Sequence, residues 1–280
     1  MNIGIIGQGF VGNAVFQKFR NYYNVYTYDL QAKLCNATNE EIFVECDTIF
    51  VCLPTPMNKD GSCYTGLVEA ELRDLDEKCR FDQNKKKTII IKSTISPGTT
   101  AKWNKQFKNL NVVFNPEFLT EANAVDDFEN QTRLLLGGPL RATTKIKQIF
   151  SSVFRKTPRI IKTDAKTAEL VKYVTNAFLS TKVSFANEMY QLCEGLDLDY
   201  DKIIEYATLD PRLGDSHWGV PGPDGDFGFG GHCFPKDLAA LIEITKNLNT
   251  VNNVLKAVQT TNNTVRSNRD WEKMKGRAIV

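Results

Sequence analysis

Cys233 stands where a thiol could serve as a nucleophile. It lies in the run Gly228-Phe229-Gly230-Gly231-His232-Cys233-Phe234-Pro235-Lys236-Asp237, whose glycines let the chain come in close. Pro235 suits the first turn of a helix over residues 236–244, which sets Cys233 beside that helix's N-terminus. The partial positive charge there, with Lys236 nearby, favours a thiolate. The plainer reading is a small buried hydrophobe, the usual condition of an unbridged cysteine. Cys35, Cys46, Cys52, Cys63, Cys79 and Cys193 take that plainer reading, because none has an activating context. Lys172 and Asn176, four residues apart, project from one face of a helix one turn from each other. From spacing alone the expectation for such a pair is a solvated face. His232, beside a glycine turn, reads as a polar wall residue rather than a base, and His217 in the loop over 214–226 has less to recommend it. Neither histidine has a second His, Cys or carboxylate at a metal-ligand interval, so no metal site is expected.

Such side chains need elements to hold them, and the first half of the chain reads as a dinucleotide fold. Residues 2–6 form an apolar strand, followed at once by Gly7-Gln8-Gly9-Phe10-Val11-Gly12 and by a helical stretch over 13–19. A second strand over 25–28 ends in Asp29, 22 positions after Gly7, close to the spacing of a ribose-binding carboxylate. Gly7 permits the tight turn, Gly9 lets a pyrophosphate approach the backbone, and Gly12 lets helix and strand pack closely. Asp29, in place of a basic residue, favours NAD over NADP. Strands at 48–53, 88–91 and 112–114 alternate with helices at 67–79 and 99–107, which implies a parallel sheet covered on both faces. The loops Pro54-Thr55-Pro56, Lys92-Ser93-Thr94 and Asn115-Pro116-Glu117 follow those strands, and ligands of open parallel sheets sit at such carboxyl ends. Residues 57–64 read as a surface loop and 81–87 as a polar connection, neither suggesting chemistry. In the second half, Thr163-Asp164 can cap a helix over 165–194, stopped by Gly195. At about 45 Å it suits a spine shared between domains or subunits.

The 280 residues suggest two domains with ordinary soluble composition, 42% apolar and 24% charged, which excludes disorder and collagen-like structure. A net charge of +2 gives no reason to expect a nucleic acid or an acidic membrane as partner. No apolar run approaches a membrane span, and the N-terminus lacks the regions of a signal peptide. Seven scattered cysteines without a CxxC indicate neither a disulfide framework nor a zinc ribbon, so a reducing, cytoplasmic setting is expected.

Seven motifs, in order along nearly the whole chain, resemble the nucleotide-sugar dehydrogenases of the UDP-glucose/GDP-mannose dehydrogenase family. They are GQGFVG at 7–12, PTP at 54–56, KSTISPGT at 92–99, NPEFLTE at 115–121, AELVKYVTNAF at 168–178, DPRLG at 210–214 and GFGGHCFPKD at 228–237. The resemblance implies a Rossmann-type doubly wound α/β domain over 1–162. An all-helical central domain on the long helix follows over 163–275, and 276–280 is the stub of an absent third domain. It implies NAD-dependent, two-step oxidation of the C6 primary alcohol of a UDP-sugar, UDP-glucose to UDP-glucuronate first, with no metal. Cys233 is then the nucleophile, Lys172, Asn176 and Asp237 bind and polarise its intermediates, and Glu117 assists water held near Thr94. Gly7, Gln8, Gly9, Phe10, Val11, Gly12, Asp29, Pro54, Thr55, Ser93, Thr94, Glu121 and Lys236 would touch NAD. Glu117, Phe118, Leu119, Lys172, Asn176, Arg212, Phe227, Gly228, Phe229 and Gly230 would touch the sugar nucleotide. A homodimer through the long helix is expected, and a separate chain could supply the missing third domain. GGHC is similar to dehydrogenases of N-acetylated UDP-sugars and FPKD to the UDP-glucose type, which leaves the sugar open. A one-step hydroxyacid dehydrogenase also fits Lys172 and Asn176, and a truncated non-catalytic or partner-dependent subunit fits the missing domain.

Overall fold

The computed structural model describes residues 1–81, 86–154 and 158–280, and most of the polar connection expected at 81–87 lies outside them. Two compact units form, Met1–Thr55 with Thr65–Lys172, and Pro56–Tyr64 with Tyr173–Val280. The first contains β1 (Asn2–Ile6), α1 (Phe10–Phe19), β2 (Asn24–Tyr28), α2 (Asn39–Glu45), β3 (Thr48–Val51) and α3 (Gly66–Phe81). It continues with β4 (Lys87–Ile91), α4 (Thr99–Gln106), β5 (Leu110–Phe114), α5 (Ala124–Asn130), β6 (Arg133–Gly137), α6 (Leu140–Val153) and β7 (Arg159–Thr163).

The seven strands form one sheet in the order β2-β1-β3-β4-β5-β6-β7. Alternate residues of the central strands enter opposite cores, which is why their sequences are apolar throughout. Ile49, Val51, Ile89, Ile91 and Val112 pack with Ile42, Leu72 and Trp103 on one face. Ile3, Ile5, Phe50, Ile90 and Val113 pack with Val15, Phe128 and Phe150 on the other. The expected parallel pairing holds with one correction: β6 runs antiparallel to β5, with Phe114 opposite Gly137. The chain from 115 to 132 therefore begins and ends on the carboxyl side of β5, where ligands of this fold bind.

The spine helix is α7 (Ala165–Leu196). Asp164 caps it, Oδ1 accepting from Thr167 N at 2.9 Å. It runs past Gly195 and stops where Asp197 turns left-handed at φ 53°. The division between compact units falls inside this helix, after Lys172. Its first turns are held to the sheet unit, because Glu169 accepts the backbone N–H groups of Gly98 and Thr100 at the start of α4. A Cβ on Gly137 would also lie 2.5 Å from that of Ala168.

The second unit adds α8 (Tyr200–Ala207), α9 (Phe234–Asn247) and α10 (Asn253–Val265). Tyr173, Ala177, Phe229, Leu238, Leu241 and Val258 form its main core. Residues 57–64, expected as a plain surface loop, belong here: Gly61 lies against Ala239 of α9, and Met57 pairs with both Cys63 and Ile279. The C-terminal residues 276–280 fold back onto that loop, Met57 N donating to Ala278 O at 2.7 Å and Val280 N to Met57 O at 3.1 Å.

Candidate active site

The glycine loop joins β1 to α1. Gly7 has φ +92°, which a side chain would strain, and a Cβ on Gly12 would sit 1.9 Å from Gly7 O. Nothing lies within 4 Å of the Cβ that Gly9 lacks. Asp29 Oδ2 accepts from Gln8 N at 2.7 Å, so this carboxylate also braces the loop. Gln8 Nε2 is buried without a hydrogen-bond partner beside the turn. An open glycine cradle at a helix N-terminus, an orphaned amide donor and an acidic residue after β2 together fit a dinucleotide. Phe10 and Glu121 line one hollow at the start of α1, while Pro54 is exposed and Val11 half-buried within the helix.

The loops after β3 and β4 are tied together. Thr55 Oγ1 donates to Thr94 O at 2.7 Å and Ser93 Oγ to Leu53 O. Below them Lys92, 2% exposed, donates to Asn115 Oδ1 at 2.9 Å. Glu117 is 7% exposed and meets Lys172 at 2.8 Å, while its Oε2 accepts from Leu119 N at 2.7 Å. Burial pushes the Glu117 carboxyl up, but the Lys172 charge and hydrogen bond, the Leu119 amide and the Lys92 charge outweigh it and hold it below its ordinary value. Phe118 lies beneath the Lys172 ammonium at 5.5 Å from its ring centre and takes Arg133 on its ring at 4.5 Å.

In the second unit, Cys233 is the N-cap residue of α9, with Pro235 in the first turn. Behind it Asp237 Oδ2 accepts from Asn176 Nδ2 at 2.6 Å and Oδ1 accepts from Lys236. Burial works against the Lys236 ammonium, yet Asp237, with Cys63 and Cys233 also facing it, raises its pKa above the ordinary lysine value. The backbone of 228–231 is clamped by side chains: Asn187 to Gly228 N, Asn262 to both polar groups of Phe229, and Asp270 to Gly231 N. Gly230 has no room for a Cβ, which would meet Arg266 at 2.2 Å. Phe229 lines a cavity with Met57, Pro235 and Trp271, and Phe227 packs on Tyr190. Arg212 is exposed and bonded to Asp210.

The expectation of a solvated face for Lys172 and Asn176 is overturned, since they are 3% and 5% exposed. Each has a buried carboxylate partner, Glu117 and Asp237, which spacing along one helix cannot reveal. Several of the six cysteines read as plain hydrophobes also have polar neighbours: Cys35 at the Asp29 backbone, Cys46 facing Lys87, Cys52 facing Lys92 and Cys63 facing Lys236. Lys92 and Asn115 enter the sequence reading only as members of the loops after β4 and β5, with no role of their own, and Asn187, Asn262 and Arg266 give no signal in it. A lysine directly after the apolar strand β4 was the one signal available. Among the described residues no group of three or more His, Cys, Asp or Glu comes together as metal ligands, and no helix is long and apolar enough to cross a membrane.

A doubly wound sheet with a glycine loop of this kind fits the class of dinucleotide-binding proteins. Residues 20–157 match the NAD binding domain of the UDP-glucose/GDP-mannose dehydrogenase family and residues 166–264 its central domain. The chain belongs to that family, and its cofactor is NAD. YtcA of Bacillus subtilis is 40% identical over 79% of this chain and 51% of its own length. The UDP-glucose 6-dehydrogenase AglM of Haloferax volcanii is 34% identical over 75% of this chain and 50% of its own. A UDP-glucose dehydrogenase structure from the hyperthermophilic archaeon Pyrobaculum islandicum aligns with TM-score 0.84 at 28% identity, covering 94% of this chain and 68% of that one. The chain thus spans about half the length of the curated relatives it matches.

Proposed function

We propose that the chain carries the NAD-binding and catalytic parts of a nucleotide-sugar 6-dehydrogenase, which oxidises the C6 primary alcohol of a UDP-sugar, UDP-glucose first, to the carboxylate. The observation that carries this reading is Cys233 at the start of α9, backed by the buried Lys236-Asp237-Asn176 network. NAD, when bound, accepts a hydride in each of the two oxidations. Between them the Cys233 thiolate adds to the aldehyde carbon, giving a thiohemiacetal whose loss of hydride leaves a thioester. Lys172 and Asn176 donate N–H groups to the oxygen that gathers negative charge, an effect worth about 3 kcal/mol per donor in comparable sites. Asp237 holds the Asn176 amide in place. Glu117 takes a proton from the water that attacks the thioester, with Thr94 orienting that water, and Cys233 leaves as thiolate. Gly7 to Gly12, Asp29, Pro54, Thr55, Ser93, Glu121 and Lys236 serve the cofactor in this reading. Phe118, Leu119, Arg212 and Phe227 to Gly230 serve the sugar nucleotide. The reading places the enzyme in a reducing cytoplasm and pairs two copies through α7, supported by exposed Leu170, Val174, Phe178, Leu192 and Leu196 on that helix.

The test is NADH formation by the purified chain with a panel of UDP-sugars. Two NADH per UDP-glucose, abolished by Cys233→Ser, is the expected result. One NADH per substrate, indifferent to Cys233, would select a one-step hydroxyl dehydrogenase. NAD binding without turnover of any UDP-sugar, even with candidate partner chains added, would make the chain a non-catalytic subunit.

A further inference from the structure

Lys92 is a second buried cation beside the hydrolytic carboxylate, and no step above uses it. It directly follows β4, and its side chain runs to Asn115, the first residue after β5. Asn115 in turn donates through Nδ2 to Leu135 O at 2.8 Å, and its own N–H bonds to Ile91 O at 2.9 Å. That amide therefore brackets the ends of β4 and β5 to β6, at the point where the sheet changes to antiparallel. Glu117 projects from the turn just beyond the bracket, two residues on. Burying an ammonium is costly unless a nearby group needs the charge.

We propose that Lys92 is a positioning residue for Glu117: through Asn115 it pins the turn that carries this carboxylate, and its ammonium supplies a second positive charge facing it. The inference rests on the reading of Glu117 as the group that assists water. It explains how Glu117 stays a carboxylate while Lys172 serves a reacting oxygen. The groups facing Lys92 are Cys52 after β3, Glu117 after β5, Lys172 on α7 and the Phe128 ring of α5. Burial pushes the Cys52 thiol up to about 12, so it contributes no counter-charge near neutral pH. Burial likewise brings the Lys92 ammonium down to about 8, partly restored by the Glu117 charge. The geometry and the charge coupling point the same way.

Carboxyl-carbon NMR of the glutamate-labelled chain, with the Glu117 signal assigned by Glu117→Gln, reads the coupling without turnover. In Lys92→Met the Glu117 midpoint rises by about one pH unit, as expected for loss of a neighbouring charge, and Lys92→Arg keeps it near the wild-type value. An unmoved midpoint in a folded Lys92→Met chain overturns the proposal. The reciprocal measurement does not depend on Lys92→Met folding: nitrogen NMR of labelled lysines in Glu117→Gln, where the Lys92 midpoint falls below its wild-type value. No fall there also overturns it. Thioester hydrolysis is assayed separately, as release of the free acid after the second NADH has formed. If Glu117→Gln hydrolyses normally while the titrations remain coupled, the role assigned to Glu117 fails and the pairing with Lys92 stands.

Discussion

Lys172 makes two hydrogen bonds to a single residue: its Nζ donates to the Glu117 carbonyl oxygen at 2.7 Å and to Glu117 Oε1 at 2.8 Å. The ammonium therefore fixes both the backbone and the carboxylate of a residue 55 positions away. Lys172→Met leaves that carboxylate buried without its main partner, a loss of about 3–5 kcal/mol. Urea unfolding at neutral pH measures it. An unchanged midpoint would mean the pair carries little of the fold's stability.

The glycines of the first loop separate folding from cofactor binding. Gly12→Ala forces a Cβ onto Gly7 O and lowers stability by about 3 kcal/mol or more, read as a fall in melting temperature. Gly9→Ala meets nothing in the fold, so the melting temperature holds. Its methyl group fills the open cradle, and calorimetry should show NAD binding weakened about tenfold, or ~1.4 kcal/mol. Equal NAD affinity in wild type and Gly9→Ala would place the diphosphate elsewhere.

Lys92 gives a pH signature of its own. Its pKa falls from 10.5 in the unfolded chain to about 8 in the fold, so between those values the unfolded state binds more protons. Stability then rises with pH across that window, and the burden of the buried charge is full below about pH 8. Unfolding at both ends should show wild type gaining on Lys92→Met by on the order of 3 kcal/mol. A flat difference would contradict the burial of a charged Lys92.

The outer face of α7 tests the proposed pairing of two copies. Phe178 is 64% exposed, one turn from Val174. Phe178→Glu should halve the mass seen by analytical ultracentrifugation, with helical content unchanged by circular dichroism. A wild-type chain already monomeric at micromolar concentration would remove α7 as the pairing surface.

Much of the first unit was legible in order along the chain. The strands at 2–6 and 112–114, the glycine loop and Asp29 follow from apolar runs and turn residues, which are local signals. β6 and β7 were missed, because short apolar runs such as Leu134 to Leu136 have no period to distinguish strand from helix. The cysteine at the start of α9 was legible for the same local reason, from Pro235 and the glycines before it.

The sequence by itself determined the cofactor loop, the long helix, the position of Cys233 and the family to which the chain belongs. Only the tertiary structure decided that Lys172 and Asn176 are buried rather than solvated, and that Lys92 stands beside Glu117. Spacing along a helix sets which side chains share a face. What that face meets depends on chain segments 55 and 61 residues away, Glu117 and Asp237, brought in by packing. Buried charge tolerates only a few partners, and those partners are chosen in three dimensions.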